Sequence, residues 1–214
     1  MNRKELFEKV NTPQELMDYM DKYIEYGWVD KDGEKHINDL KGLRENYRVS
    51  SLDEMFESGV GTCIEQANMI KTFFDRKGFE TKMFCHRSYE TEENFDAEVR
   101  MHCFVLFKYL DKWYHFEHSN SGRRGIHQYS SVEEAIENIT RWHKEHGDIR
   151  KITEFDEIPA GLSFKELTAA GSALTSILPS ILVTLIPFAC LLPVATKLTL
   201  SFSSKMINLL SSFS

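Results

Sequence analysis

The sequence predicts an α+β domain over residues 1–166, followed by a hydrophobic segment over residues 167–214. Three observations carry this reading. Helix starts marked by one recurring Ser/Thr-x-x-Glu pattern fall in the first half and again near residue 131. The middle third changes to short runs rich in aromatic and branched residues. From Leu167 to Thr196, 30 consecutive residues are uncharged. A chain of 214 residues accommodates one domain with a substantial core rather than two large ones.

The helix starts are capping boxes, in which a Ser or Thr hydroxyl and a Glu three residues on satisfy each other's orphan amides. "TPQE" sets Thr12 at the cap, Pro13 at the first helical position and Glu15 at the third, opening a helix to about Tyr26. "SLDE" places Ser51 and Glu54 ahead of a short helix ending near Ser58. "TCIE" does the same with Thr62 and Glu65, and "SVEE" with Ser131 and Glu134 for a helix to about His146. The helix after Thr62 runs to about Lys77 and stops at Gly78, a left-handed terminator. Its inward stripe is Cys63, Ala67, Ile70 and Phe74, with Phe73 beside it.

Three strands follow: "ETKMFCHRSY" (80–89), "MHCFVLFKY" (101–109) and "KWYHFEHS" (112–119). The last two join at "YLDKW" and predict an antiparallel hairpin. Residues 102–109 are apolar on both faces, as expected of a central strand covered on both sides. Between the first two strands lies an acidic loop, 90–98. Beyond the domain, the apolar stretch 173–196 exceeds the roughly 20 residues a bilayer requires. It contains Pro179, Pro187 and Pro193, which membrane helices tolerate. A membrane anchor is the expectation, the alternative being a hydrophobic helix packed on the domain or on a partner. Arg150, Lys151 and Lys165 before the segment, against Lys197 and Lys205 after it, favour a cytoplasmic N-terminal domain.

Charge and cysteine usage narrow the function. The net charge is -7 overall, and residues 1–166 carry 24 basic against 33 acidic groups. That balance argues against generic nucleic-acid binding, which needs a basic surface to neutralise phosphates. The opening "MNRKELFEKV" lacks the apolar core of a secretory signal. Four cysteines, Cys63, Cys85, Cys103 and Cys190, with no Cys-x-x-Cys pair, read as free thiols in a reducing compartment.

Cys63 is the candidate for chemistry. A thiol becomes a strong nucleophile as a thiolate, and a helix N-terminus favours the anion through its unpaired amides and macrodipole. Gly59 and Gly61 leave room in front of it for a close approach. A catalytic Cys needs a His as base and then acid, with a carboxylate or amide to orient that His. His102 and Glu117 are available on the hairpin. With a two- or four-residue turn they share a face, directly opposite when paired positions sum to 219. They are diagonal, about 7–8 Å apart, when the sum is 221. An odd-length turn separates them.

These residues resemble a known family. "GVGTCIEQANMIKTFFDRKGFETKMF", then "HCFVLF", then "KWYHFE", is similar to the transglutaminase-like superfamily of papain-fold enzymes over about residues 45–120. The resemblance implies a papain-like core in which the nucleophile helix packs on an antiparallel sheet. By it, Cys63 matches the nucleophile, His102 the base and Glu117 the third member. Glu stands where Asp is usual, and His118 follows where Pro is common. The implied activity is acyl transfer on peptide or amide substrates through a Cys63 thioester, without a cofactor. The other reading is a catalytically silent, membrane-tethered binding module of the same fold. For an oxyanion donor the sequence offers the Cys63 backbone amide alone.

The remaining histidines carry less. His115 shares a face with Glu117 and could compete for it, whereas His118 points to the other face. His143 and His146 have helical metal-pair spacing but read as a solvated face. Cys85, His86, His102 and Cys103 could join a zinc site, though each adjacent pair can offer only one ligand to a common ion. Glu90, Glu92 and Glu93 on the acidic loop would draw a cationic peptide or amine to the site, while Arg123 and Arg124 follow Glu117.

Overall fold

The computed structural model describes residues 3–91, 99–147, 150–163 and 166–167. Helices α1 (Arg3–Lys9) and α2 (Pro13–Tyr23) lead into β1 (Glu25–Val29) and β2 (Lys35–Ile37). Two short helices, α3 (Leu43–Asn46) and α4 (Leu52–Ser58), precede β3 (Val60–Gly61) and the long α5 (Cys63–Arg76). Then come β4 (Glu80–Tyr89), β5 (Arg100–Tyr109), β6 (Lys112–Glu117), β7 (Gly125–Tyr129), α6 (Val132–Glu145) and β8 (Ile152–Glu157). The protein is thus mixed α+β, as expected.

Four helices begin where the capping pattern places them, with differences in detail. Thr12 and Glu15 form the reciprocal box at α2, and Ser51 and Glu54 form it at α4. At α6 the box is half-built, since Ser131 caps the Glu134 amide while the Glu134 carboxylate takes the Ser130 amide instead. The helix from Thr12 ends at Tyr23 rather than Tyr26, because residues 25–29 pair as a strand. That strand is the centre of a small sheet, ordered β2-β1-β3, in which β1 and β3 run parallel. Sequence reasoning does not find it. Its members are short, and what makes β1 a strand is its pairing with β2 and with the two residues of β3.

The larger sheet is antiparallel throughout, ordered β7-β6-β5-β4-β8. β5 sits in the middle, and Cys103 through Phe107 are buried on both faces. Helix α5 covers one face. Its Phe74 ring stacks on Phe107 at 4.1 Å and meets Phe116 edge-on at 5.7 Å. Helix α6 covers the other, where Ala135 and Ile139 pack with Phe84, Phe104, Leu106, Trp113 and Tyr129. Burying one such large side chain contributes roughly 1.5–3 kcal/mol, so this two-sided packing dominates the domain's stability. The edge strands β7 and β8 lie outside the predicted set. All of β7 but Tyr129 falls within "SNSGRRGIHQ", whose glycines and polar residues read as a loop. β8 is the charged run "ITEFDE", whose place is decided by pairing with β4.

The β5–β6 register matters most for the site. Val105 faces Phe116 and Tyr109 faces Lys112, so paired positions sum to 221. The connection is a two-residue turn, with Leu110 and Asp111 at φ 47° and 59°, both left-handed. This is the type I′ pattern, whose twist matches that of the strands. Leu is poorly suited to it, because a side chain in the left-handed region costs about 1–2 kcal/mol.

Of the expected C-terminal segment, only Leu167 lies within the described residues. Cys190 and most of the acidic loop (92–98) also lie outside them. Among the described residues, no helix is long and apolar enough to cross a membrane.

The turn yields a test. Replacing Leu110 with Asn and Asp111 with Gly should raise stability by about 1 kcal/mol, read as a higher urea midpoint at unchanged slope.

Candidate active site

The site is assembled at the start of α5. Thr62 caps the helix and Cys63 occupies its first position. The helix start is anchored by Glu65, which is buried. Its Oε2 accepts the Thr62 amide (2.9 Å) and hydroxyl (2.5 Å), and its Oε1 accepts the Ser50 amide (3.0 Å) and the Tyr47 hydroxyl (2.7 Å). Burial raises the Glu65 pKa, while the Thr62 hydroxyl, the Ser50 amide and the Tyr47 hydroxyl oppose that rise. Gln66, also buried, donates to the Gly61 carbonyl at 2.9 Å and pairs with His118 Nδ1 at 2.7 Å. It therefore ties the approach to Cys63 to the chain just beyond Glu117.

The glycines before Cys63 serve the chain rather than a substrate. Gly59 ends α4 in the left-handed conformation, at φ 69°. At Gly61 a Cβ would lie 2.9 Å from the Glu65 Cβ, so only glycine leaves room for that carboxylate's side chain.

The 221 register makes His102 and Glu117 diagonal neighbours, and a Glu side chain spans the diagonal. His102 Nε2 lies 2.7 Å from Glu117 Oε2. The other carboxylate oxygen accepts the Ser119 hydroxyl at 3.0 Å and the Asn120 amide at 2.9 Å, which holds the group in place. With Nε2 engaged, Nδ1 is the ring atom left to meet the Cys63 thiol. The three residues singled out in the sequence, Cys63, His102 and Glu117, are together.

The thiol of Cys63 interacts with two adjacent residues of one strand, His102 and Cys103. Neighbouring strand side chains point to opposite faces, so one group can meet both only at the strand's edge. The β5–β6 ladder stops at Val105 opposite Phe116, so His102 and Cys103 lie beyond its end.

The charges reinforce one another. Contact with the Cys103 thiol and with the His102 ring holds the Cys63 thiol well below its ordinary range, against the opposing effect of burial. Burial alone would depress His102, but the Glu117 carboxylate and Cys63 push it well above 6.5. Glu117 is buried too, and His102 foremost among its partners holds it well below 4.5. All three shifts run toward the charged forms, a thiolate, an imidazolium and a carboxylate.

Burial pushes three nearby histidines the opposite way, toward the neutral form. His115 lies 3.4 Å from Glu117 Oε2 and does compete for it, yet burial lowers its pKa to about 4. His118, just past the end of β6, meets Gln66 of α5, and burial lowers it to about 4. His86 sits directly opposite His102 in the β4–β5 ladder, stacks on Phe155 at 4.6 Å, and is lowered to about 3 by burial and then by His143 and His102. His143 corrects an expectation. It is buried, not solvated, with its ring 5.1 Å from His86 and 5.6 Å from His102. His146 bonds its own helix at the Trp142 carbonyl, 2.7 Å away.

A cleft of about 550 Å³ opens onto His102, lined also by Tyr26, His86, Asn120 and His143. Glu25 is its one acidic group, against Arg100 and Arg124, and Glu90 of the acidic loop pairs with Arg150. Cys85, His86, His102 and Cys103 do not converge as metal ligands. Among the described residues, only Asp30, Glu34 and His36 bring three such atoms within 4.8 Å, and Glu34 is exposed. Tyr26, Gln66 and Cys103 are the site residues that sequence reasoning misses. Tyr26 arrives through the unforeseen β1–β3 pairing, opposite Gly61. No protein-family profile matches this chain, and no curated protein matches it.

The neutral histidines dictate a pH response. His86, His115 and His118 have folded pKa values depressed below 6.5, so the stability they contribute is present above pH 6.5 and lost as pH falls toward 4–3. Near pH 5 the unfolded chain binds about three more protons on these groups, a slope of about 4 kcal/mol per pH unit. His102 does not offset this there, because it is protonated both folded and unfolded. Urea titrations at pH 5, 6 and 7 should show that loss, and His86→Phe should cut the slope by about a third.

Proposed function

We propose that the protein catalyses acyl transfer from a peptide or amide through a thioester on Cys63. The observation that carries this is the His102–Glu117 pair at 2.7 Å, with Cys63 against the same ring at the N-terminus of α5. The Cys63 thiolate attacks the substrate carbonyl. His102, holding the proton, returns it to the departing amine and then deprotonates the incoming water or amine. Glu117 keeps the ring in the orientation and tautomer that this exchange needs. The reading agrees with the resemblance to the transglutaminase-like superfamily, which supplies a papain-like reading of the α5-on-sheet core.

The developing oxyanion needs two donors. The Cys63 amide is one, being an unpaired amide of the first helical turn. Tyr26 is the second in this proposal. It lines the cleft, and its hydroxyl makes no hydrogen bond to a described residue. Burial, then the Cys63 charge, raises its pKa, so the phenol keeps the proton a donor must hold. The 167–214 segment is proposed to tether the domain to a membrane, and full-chain protein should then sediment with phospholipid vesicles.

Iodoacetamide labelling tests the nucleophile. Cys63 should react at pH 6 at least tenfold faster than an ordinary thiol, and His102→Ala should move its pH profile up toward that of an ordinary thiol, ~8.5. Labelling no faster than Cys85, unchanged in His102→Ala, would sink the proposal. With casein as acyl donor and water or a dansylated primary amine as acceptor, Cys63→Ala should abolish turnover. Tyr26→Phe should lower kcat by roughly 10²–10³ with little change in KM.

A further inference from the structure

We infer that Arg124, on the cleft wall, docks a carboxylate of the substrate, and that docking hands Asp21 over to His118, which takes up one proton from solvent. The starting observation is a buried histidine placed between two acceptors. Gln66, 1% exposed, donates its Nε2 to the Gly61 carbonyl at 2.9 Å. A carbonyl only accepts, so this bond fixes the carboxamide and turns its oxygen toward His118 Nδ1, 2.7 Å away. Nδ1 therefore carries a hydrogen. Nε2 of the same ring lies 3.2 Å from Asp21 Oδ1, another atom that only accepts. In the neutral ring Nε2 presents a lone pair there, and this buried atom makes no hydrogen bond. The contact becomes a hydrogen bond only when Nε2 is protonated as well.

Arg124 decides which state the ring takes. Its Nη1 meets the same Asp21 oxygen at 2.8 Å, and its Nε donates to the His118 carbonyl at 3.1 Å. The charged groups facing His118 are Asp21 from α2, Glu117 at the end of β6, and Arg124 itself, while Gln66 from α5 is uncharged. Burial, and after it Arg124, favour the neutral ring in the free protein. Arg124 also lines the cleft, where Arg100 is the other guanidinium and Glu25 the one acidic group. Its pair with Asp21 is half-exposed on both sides, and such pairs add little stability. A carboxylate entering the cleft can therefore take the place of Asp21. Asp21 is then left to His118 alone, a proton from solvent binds Nε2, and the imidazolium bridges Gln66 to Asp21. A charged donor strengthens the bond to Gln66, which tightens the hold on Gly61, two residues before Cys63. Arg124 thus determines specificity, and His118 is a positioning residue. That the carboxylate belongs to an acyl donor rests on the function proposed above; docking and proton uptake do not.

The test titrates the full chain, carrying Cys63→Ala to prevent turnover, with three peptides. Acetyl-Ala-Glu-Ala-amide offers a side-chain carboxylate, acetyl-Ala-Ala a terminal one, and acetyl-Ala-Gln-Ala-amide is the neutral control. At pH 6 at least one acidic peptide should bind tenfold or more tighter than the control, and the tighter of the two identifies which carboxylate docks. At saturation the His118 ring, followed by NMR, should change from the Nδ1–H tautomer to the imidazolium. Because a proton is taken up, binding should tighten from pH 7 to pH 6. Arg124→Gln should bind the Glu and Gln peptides equally. Asp21→Asn, and His118→Asn, which can still donate to Gln66, should keep the preference and lose the pH dependence. No preference for either acidic peptide, a preference that survives Arg124→Gln, or a His118 ring unchanged at saturation would overturn the inference. Wild-type turnover of casein without these peptide effects would count against carboxylate docking alone, and the effects without turnover against acyl transfer alone.

Discussion

The end of one hydrogen-bond ladder organises the site. β5 is paired with β4 along nearly its whole length but with β6 only as far as Val105. Beyond that point the register with β6 has ended, and it is there that Cys63, from the first turn of α5, meets His102 and Cys103. A helix packed on a sheet face ordinarily meets every second strand residue. Past the end of the ladder it meets consecutive ones, so Cys63 interacts with His102, which faces α6, and with Cys103, which faces α5. Glu117 belongs to the same event. It is the last residue of β6, and its carboxylate is held by Ser119 and Asn120 as the chain turns away.

The groups behind that edge are arranged around charge. The Glu117 carboxylate and Cys63 raise the His102 pKa, and three other buried histidines are pushed toward the neutral form. Burial does this for His86, His115 and His118. On the other side of Cys63, Glu65 collects four donors from three residues, Tyr47, Ser50 and Thr62, and anchors the helix start. A capping residue that would contribute about 1 kcal/mol on a surface helix becomes a buried anchor, because Gly61 gives it room and Tyr47 and Ser50 supply donors.

Much of this was legible beforehand, for local reasons. Cap chemistry acts within four residues, so the starts of α2, α4, α5 and α6 could be read directly. Strand composition located β4, β5 and β6. An even-length β5–β6 turn would put His102 and Glu117 on one face, and the two-residue turn at Leu110 and Asp111 settled that open choice. Elements held by partners distant in sequence were invisible. β1, β3, β7 and β8 are too short or too polar to announce themselves, and His143 read as solvated because nothing local reveals His86 above it.

The sequence by itself determined that Cys63 stands at a helix N-terminus, that His102 and Glu117 can share a face, and that the domain is α+β. These follow from backbone periodicity and short-range hydrogen bonding. Only the tertiary structure decided that the β5–β6 ladder ends at Val105, that Cys103 and Tyr26 join the site, and that the surrounding histidines are buried. Each of these depends on where paired strands stop and what packs over them. That is a balance of long-range contacts, and no window of sequence contains both partners.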